Sequence, residues 1–401
     1  MNTIQVGGLL QPGTVDTVLD ARARVETLDD IQNIQLPFVG MVFFVRETGR
    51  LYIVKTLKSR TIGVVVSENV AVGEYEEVPA MSSLNWFPAG PFLVWNGAHS
   101  LRMLSGTGIS VGSGGFSTYE DIELDVADLL DTGTIQAGKD YCVYITTDQT
   151  FVVSLNSTFP SGTLSDGATA FSAENTRKIG GFHTLCVAAG EISGHPLSGF
   201  AAGDILPASV WCLNHRPYCD PAGMVYCEAL DFWVDIYLQS GTGEATESVF
   251  GGTITHTRCQ PDHTEDMFSV RKKLLSDEEF SAAADGSNQQ TIYTGSNVAT
   301  TGGHIDSAGR RMVSGIGCED CCGFIWQWLR ETGPAGGAEH KTIPGGKGNF
   351  YGNIYGLMAG GNLGEPNMAG SRARNSSNDL TRMSPGIVAR GMSPNRTSTE
   401  G

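Results

Sequence analysis

The chain has 401 residues, of which 40% are hydrophobic and 17% are charged, a composition typical of a folded protein with two or three domains. Its 52 glycines favour turns and short strands over long helices. The net charge of −17 argues against a general affinity for nucleic acid, and no apolar run reaches the length that membrane insertion requires.

The N-terminus and the cysteines suggest a protein made in a cytoplasm. The start, MNTIQVGGLLQPG, lacks a basic stretch followed by an apolar run, so no secretory signal is expected. Nine cysteines are an odd number, which favours reduced and mostly buried thiols. The CEDCC motif at 318–322 has zinc-like spacing, but its nearest possible partners, Cys212, His215 and Cys219, lie far upstream. Structural thiols are therefore favoured over a metal site, and no cofactor is expected.

The first block, residues 1–85, is predicted to be a β-rich stem. Residues 39–57, VGMVFFVRETGRLYIVKTL, predict two strands joined by a short turn that contains glycine. The stretches TIGVVVS and EYEEVPA are also predicted to be rich in β-structure. A break rich in proline, glycine and serine, VPAMSSLNWFPAGP, places a domain boundary near residue 85.

The second block, residues 86–214, is predicted to be an antiparallel β-sandwich. DYCVYITTDQTFVVS predicts a strand, a turn and a second strand, with Tyr141, Val143 and Ile145 on one face. RKIGGFHTLCVAAG predicts a further strand. Several short strands separated by polar loops are typical of a sandwich.

The third block, residues 215–401, is predicted to be an α+β domain in which long loops cover a small sheet. The apolar alternation of residues 232–238 predicts one long strand, and GFIWQWL predicts another. TEDMFSVRKK and SDEEFSAAADG predict two helices, and the second begins with a capping box formed by Ser276 and Glu279. Loops of this length in a compact domain are usually functional.

The C-terminal segment is poor in residues that build a core. No Phe, Tyr or Trp follows Tyr355, and Asn, Ser, Gly and Arg take their place. The core is expected to come from upstream residues, above all Phe324, Ile325, Trp326 and Trp328, because buried apolar area supplies about 25 cal/mol per Å². The tail SPNRTSTEG is also polar for a closing strand.

Several motifs resemble one protein family in their order and spacing: AGKDYCVYITTDQTFVVSLNSTFPSG with NTRKIGGFH, SVWCLNHRPYCDPAGMVYCEALDFWVDIYL, RKKLLSDEEFSAAADG, GCEDCCGFIWQW, and GSRAR with ARG at 389–391. Over roughly residues 135–395 the chain resembles the phage tropism-determinant family, the variable proteins of diversity-generating retroelements, which carry a C-type lectin fold. The first 85 residues match that family only in style and length.

This resemblance implies a homotrimer at the tip of a phage tail fibre, assembled in the host cytoplasm and attached to the virion through its N-terminal region. Its partner would be a host-cell surface receptor, protein or glycan, with no nucleic acid and no membrane insertion. In this family, error-prone reverse transcription rewrites adenines in the repeat that encodes the end of the lectin fold. The family's C-terminal end therefore varies while its fold is kept.

The family's variable, ligand-binding positions correspond here to Asn362, Gly364, Glu365, Pro366, Met368, Asn375, Ser377, Asn378, Arg382, Ser384, Gly386 and Ile387. We expect these side chains to form one exposed patch per subunit, with Arg382 and Met368 as contact residues. A buried frame would hold them: Gly360, Gly361, Gly370, Ser371, Arg372, Ala389, Arg390 and Gly391. Interfaces of this family commonly carry aromatic anchors, which this segment lacks.

Other functions remain open at this point. The same scaffold occurs in formylglycine-generating enzymes, but their oxidase chemistry needs a C-terminal cysteine pair, and no cysteine follows Cys322. A pair of carboxylates could hydrolyse glycosides, although nothing marks two of them as a pair. Residues 375–379, NSSND, offer ligand types for a calcium-dependent glycan lectin without a second acid nearby. A static virion part and a flexible tail are the remaining alternatives.

Overall fold

The computed structural model describes residues 24–33, 42–45, 50–60, 69–72, 74–77, 85–112, 114–295, 299–342 and 349–397. The chain divides into two units, residues 1–88 with 105–120 and residues 89–104 with 121–401. The domain boundaries near residues 85 and 214 stay a prediction. No helix among the described residues is long and apolar enough to cross a membrane.

The first unit consists of short strands. They are β1 (Arg24–Val25), β2 (Val42–Val45), β3 (Arg50–Val54), β4 (Leu57–Arg60), β5 (Asn69–Val72), β6 (Tyr75–Glu77), β9 (Thr107–Val111) and β10 (Gly114–Thr118), with a 3-10 turn at Asp29–Asn33. They form a four-stranded sheet in the order β1-β2-β3-β6 and two hairpins, β4-β5 and β9-β10. The antiparallel pair of β2 and β3 confirms the hairpin predicted over 39–57. Its turn, residues 46–49, and the stretch TIGVVVS lie outside the described residues.

Alternation along β2 and β3 builds the core of this unit. Phe43, Val45, Tyr52 and Val54 point to one side and are buried together with Ile31. The rings of Phe43 and Tyr52 stack with their centroids 5.9 Å apart, a separation at which aromatic pairs attract.

The second unit begins with β7 (Leu93–Gly97), β8 (Ser100–Met103) and β11 (Ile122–Asp125), which form a three-stranded sheet. This sheet packs on β14 (Thr176–His183). The two layers are close at this point: a Cβ added to Gly180 would lie only 2.7 Å from Leu93 Cδ2. Asn214 Nδ2 joins the same layers by donating a 2.6 Å hydrogen bond to the carbonyl of Gly90. The two layers agree with the predicted sandwich.

A larger sheet of nine strands runs through the rest of this unit. It contains β12 (Asp140–Thr146), β13 (Phe151–Ser154), β14, β15 (Trp211–Cys212), β16 (His215–Pro217), β17 (Met224–Cys227), β18 (Phe232–Asp235), β19 (Lys273–Leu274) and β24 (Gly391–Thr397). The hairpin of β12 and β13 and the strand β14 are confirmed as predicted. Residues 393–397 of the polar tail thus belong to β24, which lies between β16 and β18 and also pairs with β19.

The long strand predicted over 232–238 is shorter than expected. β18 ends at Asp235, since the next main-chain N–H groups bond outside a strand ladder: Ile236 N donates to Gly223 O at 2.8 Å and Tyr237 N to Ser248 Oγ at 3.1 Å. Residues 232–240 are buried on both faces, so the predicted core role is confirmed.

Both predicted helices are present. α2 (Asp277–Ala283) has the predicted capping box: Glu279 N donates to Ser276 Oγ at 3.1 Å, and Ser276 N donates to Glu279 Oε2 at 2.7 Å. α1 (Gln260–Ser269) begins four residues before the predicted start, because proline in the first turn begins a helix without losing a hydrogen bond. Single 3-10 turns lie at Pro207–Ser209, Glu228–Leu230, Gly243–Ala245 and Pro366–Met368.

A four-stranded sheet completes the C-terminal part. Its strands are β20 (Trp326–Thr342), β21 (Asn349–Gly360), β22 (Gly370–Asn375) and β23 (Ile387–Val388), in the order β22-β21-β20-β23. β20 is longer than the predicted strand and pairs with β21 as an antiparallel hairpin. Phe324, Ile325, Trp326 and Trp328 are all buried, which confirms their predicted place in the core.

All nine cysteines carry free thiols, and seven of them are buried as predicted. Burial raises the pKa of Cys212 and of Cys219 to about 11, so both thiols stay protonated at neutral pH. A hydrogen bond from Cys318 lowers the pKa of Cys321, but that thiol is only 1% exposed and cannot reach a substrate.

Candidate functional site

Residues 360–391, called here the terminal loop segment, connect β21 to β24 and include β22 and β23. The segment starts at Gly360 and Gly361, whose φ angles are +90° and +83°. A Cβ at these positions would overlap the carbonyl oxygens of Cys321 and Met368. Only glycine fits this turn, and the turn fixes the direction in which the segment leaves the sheet.

Arg374 clamps β22 to helix α2. Its guanidinium pairs with the Asp277 carboxylate and donates to Ser281 Oγ at 2.6 Å and to the carbonyl of Asp277 at 3.1 Å. The same group lies 5.2 Å from the centre of the Phe280 ring, within the range of a cation–π contact. One side chain therefore holds the strand to three residues of a helix with a capped start.

Arg390 closes the terminal loop segment and is 1% exposed. Its Nη1 donates to the carbonyls of Asp235 at 2.8 Å and Ile236 at 2.6 Å, Nε donates to Gln327 Oε1 at 3.0 Å, and Nη2 donates to the carbonyl of Glu319. Such a set of acceptors offsets the cost of removing a guanidinium from water.

The position of Gly391 beside Arg390 is fixed by a buried ion pair. Its N–H donates to Asp235 Oδ2 at 2.9 Å, and the other oxygen of that carboxylate accepts from Lys272 Nζ at 2.6 Å. A Cβ on Gly391 would lie 2.9 Å from Lys272 Cδ and 2.9 Å from Met267 Sδ. The predicted frame residues Ala389, Arg390 and Gly391 are therefore packed inside the molecule.

The loop between β22 and β23 is held mainly through its main chain. Gly356 N donates to the Asn378 carbonyl at 3.2 Å, and Trp326 N donates to the Gly386 carbonyl at 3.2 Å. Thr257 N donates to the Ser384 carbonyl at 3.1 Å. Main-chain bonds of this kind do not depend on which side chains the loop carries, so its surface can change while its path is kept.

The predicted ligand-binding residues differ in exposure. Gly364, Glu365, Pro366, Ser377 and Arg382 are exposed, and Asn362, Met368, Asn375, Asn378, Ser384 and Gly386 are half-buried. The expectation of exposure is wrong for Ile387, which is 3% exposed. Ile387 pairs with Trp326 across β23 and β20 and packs with Trp328 and Ala389, so its apolar side chain serves the core.

Two of the predicted contact residues have different surroundings. Met368 packs partly against the cluster that contains Trp326 and Trp328, which limits the part of its thioether that faces solvent. Arg382 is exposed, and its main-chain N–H donates to Asp379 O at 3.0 Å; within the described parts of the chain its guanidinium makes no hydrogen bond or ion pair. Of the two, Arg382 is better placed to meet a partner.

Glycines in the terminal loop segment fall into two groups. Gly360 and Gly361 have positive φ and no room for a Cβ. At Gly364 and Gly386, both among the predicted variable positions, a Cβ would meet its nearest atom at 3.4 Å and 3.6 Å, which is ordinary van der Waals contact. The second group can therefore accept a side chain without a change in the backbone.

The structure also assigns residues differently from the sequence prediction. Arg372 is exposed and is not part of the buried frame, whereas Arg374 makes the clamp described above. Met383, which the prediction left out, is 46% exposed in the same loop as Arg382. An isolated methionine in a polar loop was the available signal, since apolar side chains exposed there often serve contacts.

The alternative chemistries find little support in this segment. The Asp379 carboxylate accepts from Thr381 N at 2.9 Å and from the Thr381 hydroxyl, as in a local polar turn. Within the described residues, no three His, Cys, Asp or Glu side chains are grouped as a metal ion would require. The arrangement offers exposed polar and charged side chains on a rigid support, which suits binding.

Comparisons with known proteins show that this chain is similar to phage proteins named for receptor binding and tropism. Residues 92–212 match the family described as "Mtd second domain". A "Tail fiber receptor-binding protein" of Bordetella phage BPP-1 is 28% identical over 265 residues, 60% of this chain and 66% of that protein. The match thus spans just under two thirds of the length of the phage protein.

Solved structures of phage tropism determinants have a fold similar to that of this chain. The "Major Tropism Determinant U1 Variant" and the "P3c Variant" each have a TM-score of 0.68, cover 93% of this chain and 99% of their own, and are 21% and 22% identical. These findings confirm the predicted resemblance to phage tropism determinants and the mainly β fold with its C-type lectin part. The relatives are named for receptor binding and tropism, not for an enzymatic activity.

Arg374 and Arg382 lie on the same segment and give a matched pair of variants. We expect Arg374→Ala to lower the free energy of unfolding by about 2 kcal/mol, because it removes charge-assisted hydrogen bonds to α2. Arg382→Ala should change it by less than about 0.5 kcal/mol, as is usual for an exposed side chain. Urea unfolding followed by circular dichroism measures both. Equal losses would contradict the assignment of Arg374 as a clamp.

Gly360 and Gly364 provide a second pair. Gly360→Ala should cost about 2 kcal/mol or more, since the new Cβ meets backbone at a positive φ. Gly364→Ala should stay within about 0.5 kcal/mol of the wild type. Thermal unfolding of the two purified variants checks this, and a Gly360→Ala protein as stable as Gly364→Ala would show that the turn tolerates side chains.

Proposed function

We propose that this protein is the receptor-binding protein of a phage tail fibre and that its terminal loop segment contacts a receptor on the host-cell surface. The segment joins a rigid base to an exposed surface: Arg374 and Arg390 bind to the rest of the fold, whereas Glu365, Ser377 and Arg382 face solvent. This separation is the observation that carries the proposal. The name of the Bordetella phage relative supports it.

We further propose that the surface is diversified by a retroelement. A surface that changes from one generation to the next needs positions that accept any side chain without loss of the fold. The room for a Cβ at Gly364 and Gly386 and the main-chain bonds of the loop support this proposal. The proposed contact positions are the eleven accessible ones of the twelve predicted, with Ile387 left out because it is buried.

The remaining parts of the proposal concern assembly. The N-terminal region, residues 1–85, would attach the protein to the fibre, and residues 86–214 would form the sandwich between it and the lectin part. The protein would act as a homotrimer at the fibre tip, which would turn three loop surfaces toward the cell. It would be made in the cytoplasm of the host, with no membrane insertion. Neither a cofactor nor a metal ion is part of the proposed activity.

Binding to host cells tests the contact surface. We expect the double variant Glu365→Ala/Arg382→Ala to bind labelled host cells at least about tenfold more weakly than the wild type, because truncation of central contact residues often costs 1.4 kcal/mol or more. Asp166→Ala/Glu174→Ala, two exposed acids far from the segment in the chain, is the control. Flow cytometry gives the affinities, and light scattering checks that the mass of the assembly is unchanged. Wild-type binding by the double variant would argue against this surface.

Sequencing of this locus across one phage population tests the diversification. We expect substitutions concentrated at the eleven accessible positions, with Gly360, Gly361, Arg374, Arg390 and Gly391 unchanged, because those residues have backbone or packing roles. Substitutions spread evenly over the chain, or none at all, would indicate a static virion part.

A further inference from the structure

A cavity of about 510 Å³ lies away from the terminal loop segment, where β16, β24 and the end of helix α1 meet. Three arginines line it, Arg216, Arg271 and Arg396, together with Tyr218 and one acid, Asp220. This concentration of positive charge is unusual in a chain whose net charge is −17. A basic cavity on an acidic protein attracts small anions selectively.

Two of these arginines face each other directly. In the antiparallel pair of β16 and β24, Arg216 is opposite Arg396. Opposite residues in such a pair project from the same face of the sheet at close range, and like charges there destabilise the pair. A group of opposite charge in the space that the two side chains share would relieve this repulsion.

Burial strengthens this argument for Arg216. Its Nε is buried and has no hydrogen-bond partner in the described part of the chain. Burial and the nearby Arg396 lower the pKa of the Arg216 guanidinium, which shows that its surroundings disfavour the charge. A buried donor without an acceptor costs free energy that a bound anion would recover.

The other two arginines are supported by neighbouring groups. The Arg396 guanidinium lies 5.9 Å from the centre of the Tyr218 ring, which supports it by a cation–π contact. Arg271 has a φ of +59°, and its N–H donates to Phe268 O at 3.0 Å where α1 ends, so its backbone is fixed. Among the described residues, no carboxylate forms an ion pair with any of the three.

We propose that this cavity binds a phosphate or sulfate group. A tetrahedral oxyanion has enough oxygen acceptors for guanidinium N–H groups on three sides, and its negative charge offsets the repulsion between Arg216 and Arg396. The group would be either a free inorganic anion or the phosphate or sulfate of a surface sugar. The cavity is separate from the surface assigned above to the receptor, so either site can exist without the other.

Isothermal titration calorimetry of the full chain tests this, with sodium phosphate, sodium sulfate and glucose 6-phosphate as probes at constant ionic strength. We expect saturable binding of phosphate or sulfate, and at least about tenfold weaker binding by R216Q and by R396Q, because each loses a charge-assisted contact. R102Q, an exposed arginine outside the cavity, makes the same change of charge and should bind as the wild type does.

Stability without ligand supplies a second measurement. In phosphate-free buffer R396Q should unfold at the same temperature as the wild type or at a higher one, since the like-charged pair is gone. Phosphate should raise the melting temperature of the wild type but not that of R396Q. Glucose 6-phosphate binding at least as tight as that of phosphate would identify a sugar-borne group, and binding of the inorganic ions alone would identify a free anion. No saturable heat with any probe, or equal binding by R396Q and R102Q, would overturn the proposal.

Discussion

The buried guanidinium of Arg390 holds the C-terminal part together. Its acceptors come from three separate stretches: the end of β18, the loop at Glu319, and Gln327 on β20. Gln327 in turn donates to the carbonyls of Asp320 at 3.2 Å and Cys321 at 3.1 Å, so the network extends into the CEDCC motif. A charge at this depth is tolerated because several buried acceptors surround it, so the loss of one acceptor would leave a donor unpaired in the core.

This network explains how a long polar segment can lie on the surface without loosening the fold. The segment is fixed at its start by Gly360, in its middle by Arg374 and at its end by Arg390. Between these points its path follows main-chain hydrogen bonds to Gly356 and Trp326. Rigidity therefore comes from few residues, and most side chains of the segment are left to meet the solvent.

The sequence allowed correct predictions of those elements that are marked by a pattern of neighbouring residues. The capping box fixed the start of α2, and the β12–β13 hairpin followed from alternation. The start of α1 was predicted four residues too late because its N-cap, Cys259, makes no side-chain cap bond, and the proline in its first turn was the start signal that the prediction missed. Local patterns could not reveal how β24 enters the middle of the nine-stranded sheet, since its partners on β16 and β18 lie more than a hundred residues away.

Local sequence patterns were also insufficient to place single residues of the site. Arg372 and Arg374 are two residues apart, so a regular strand would place both side chains on the same face of the sheet. A bulge separates them, because Ala359 pairs with Arg374 whereas its neighbour Gly360 pairs with Gly370. Only the bulge decides which arginine reaches α2. Similarly, Ile387 is buried because β23 pairs in parallel with β20, a contact that no short motif encodes.

The place of β24 has a consequence for synthesis of the protein. Because this strand follows the terminal loop segment and fills the gap between β16 and β18, the sheet cannot close until the ribosome has translated through the whole segment. A stop codon or frameshift within residues 360–390 would delete β24 together with Arg390, and the truncated chain would be left with two unpaired strand edges. Only chains read in frame to the last strand can complete this sheet.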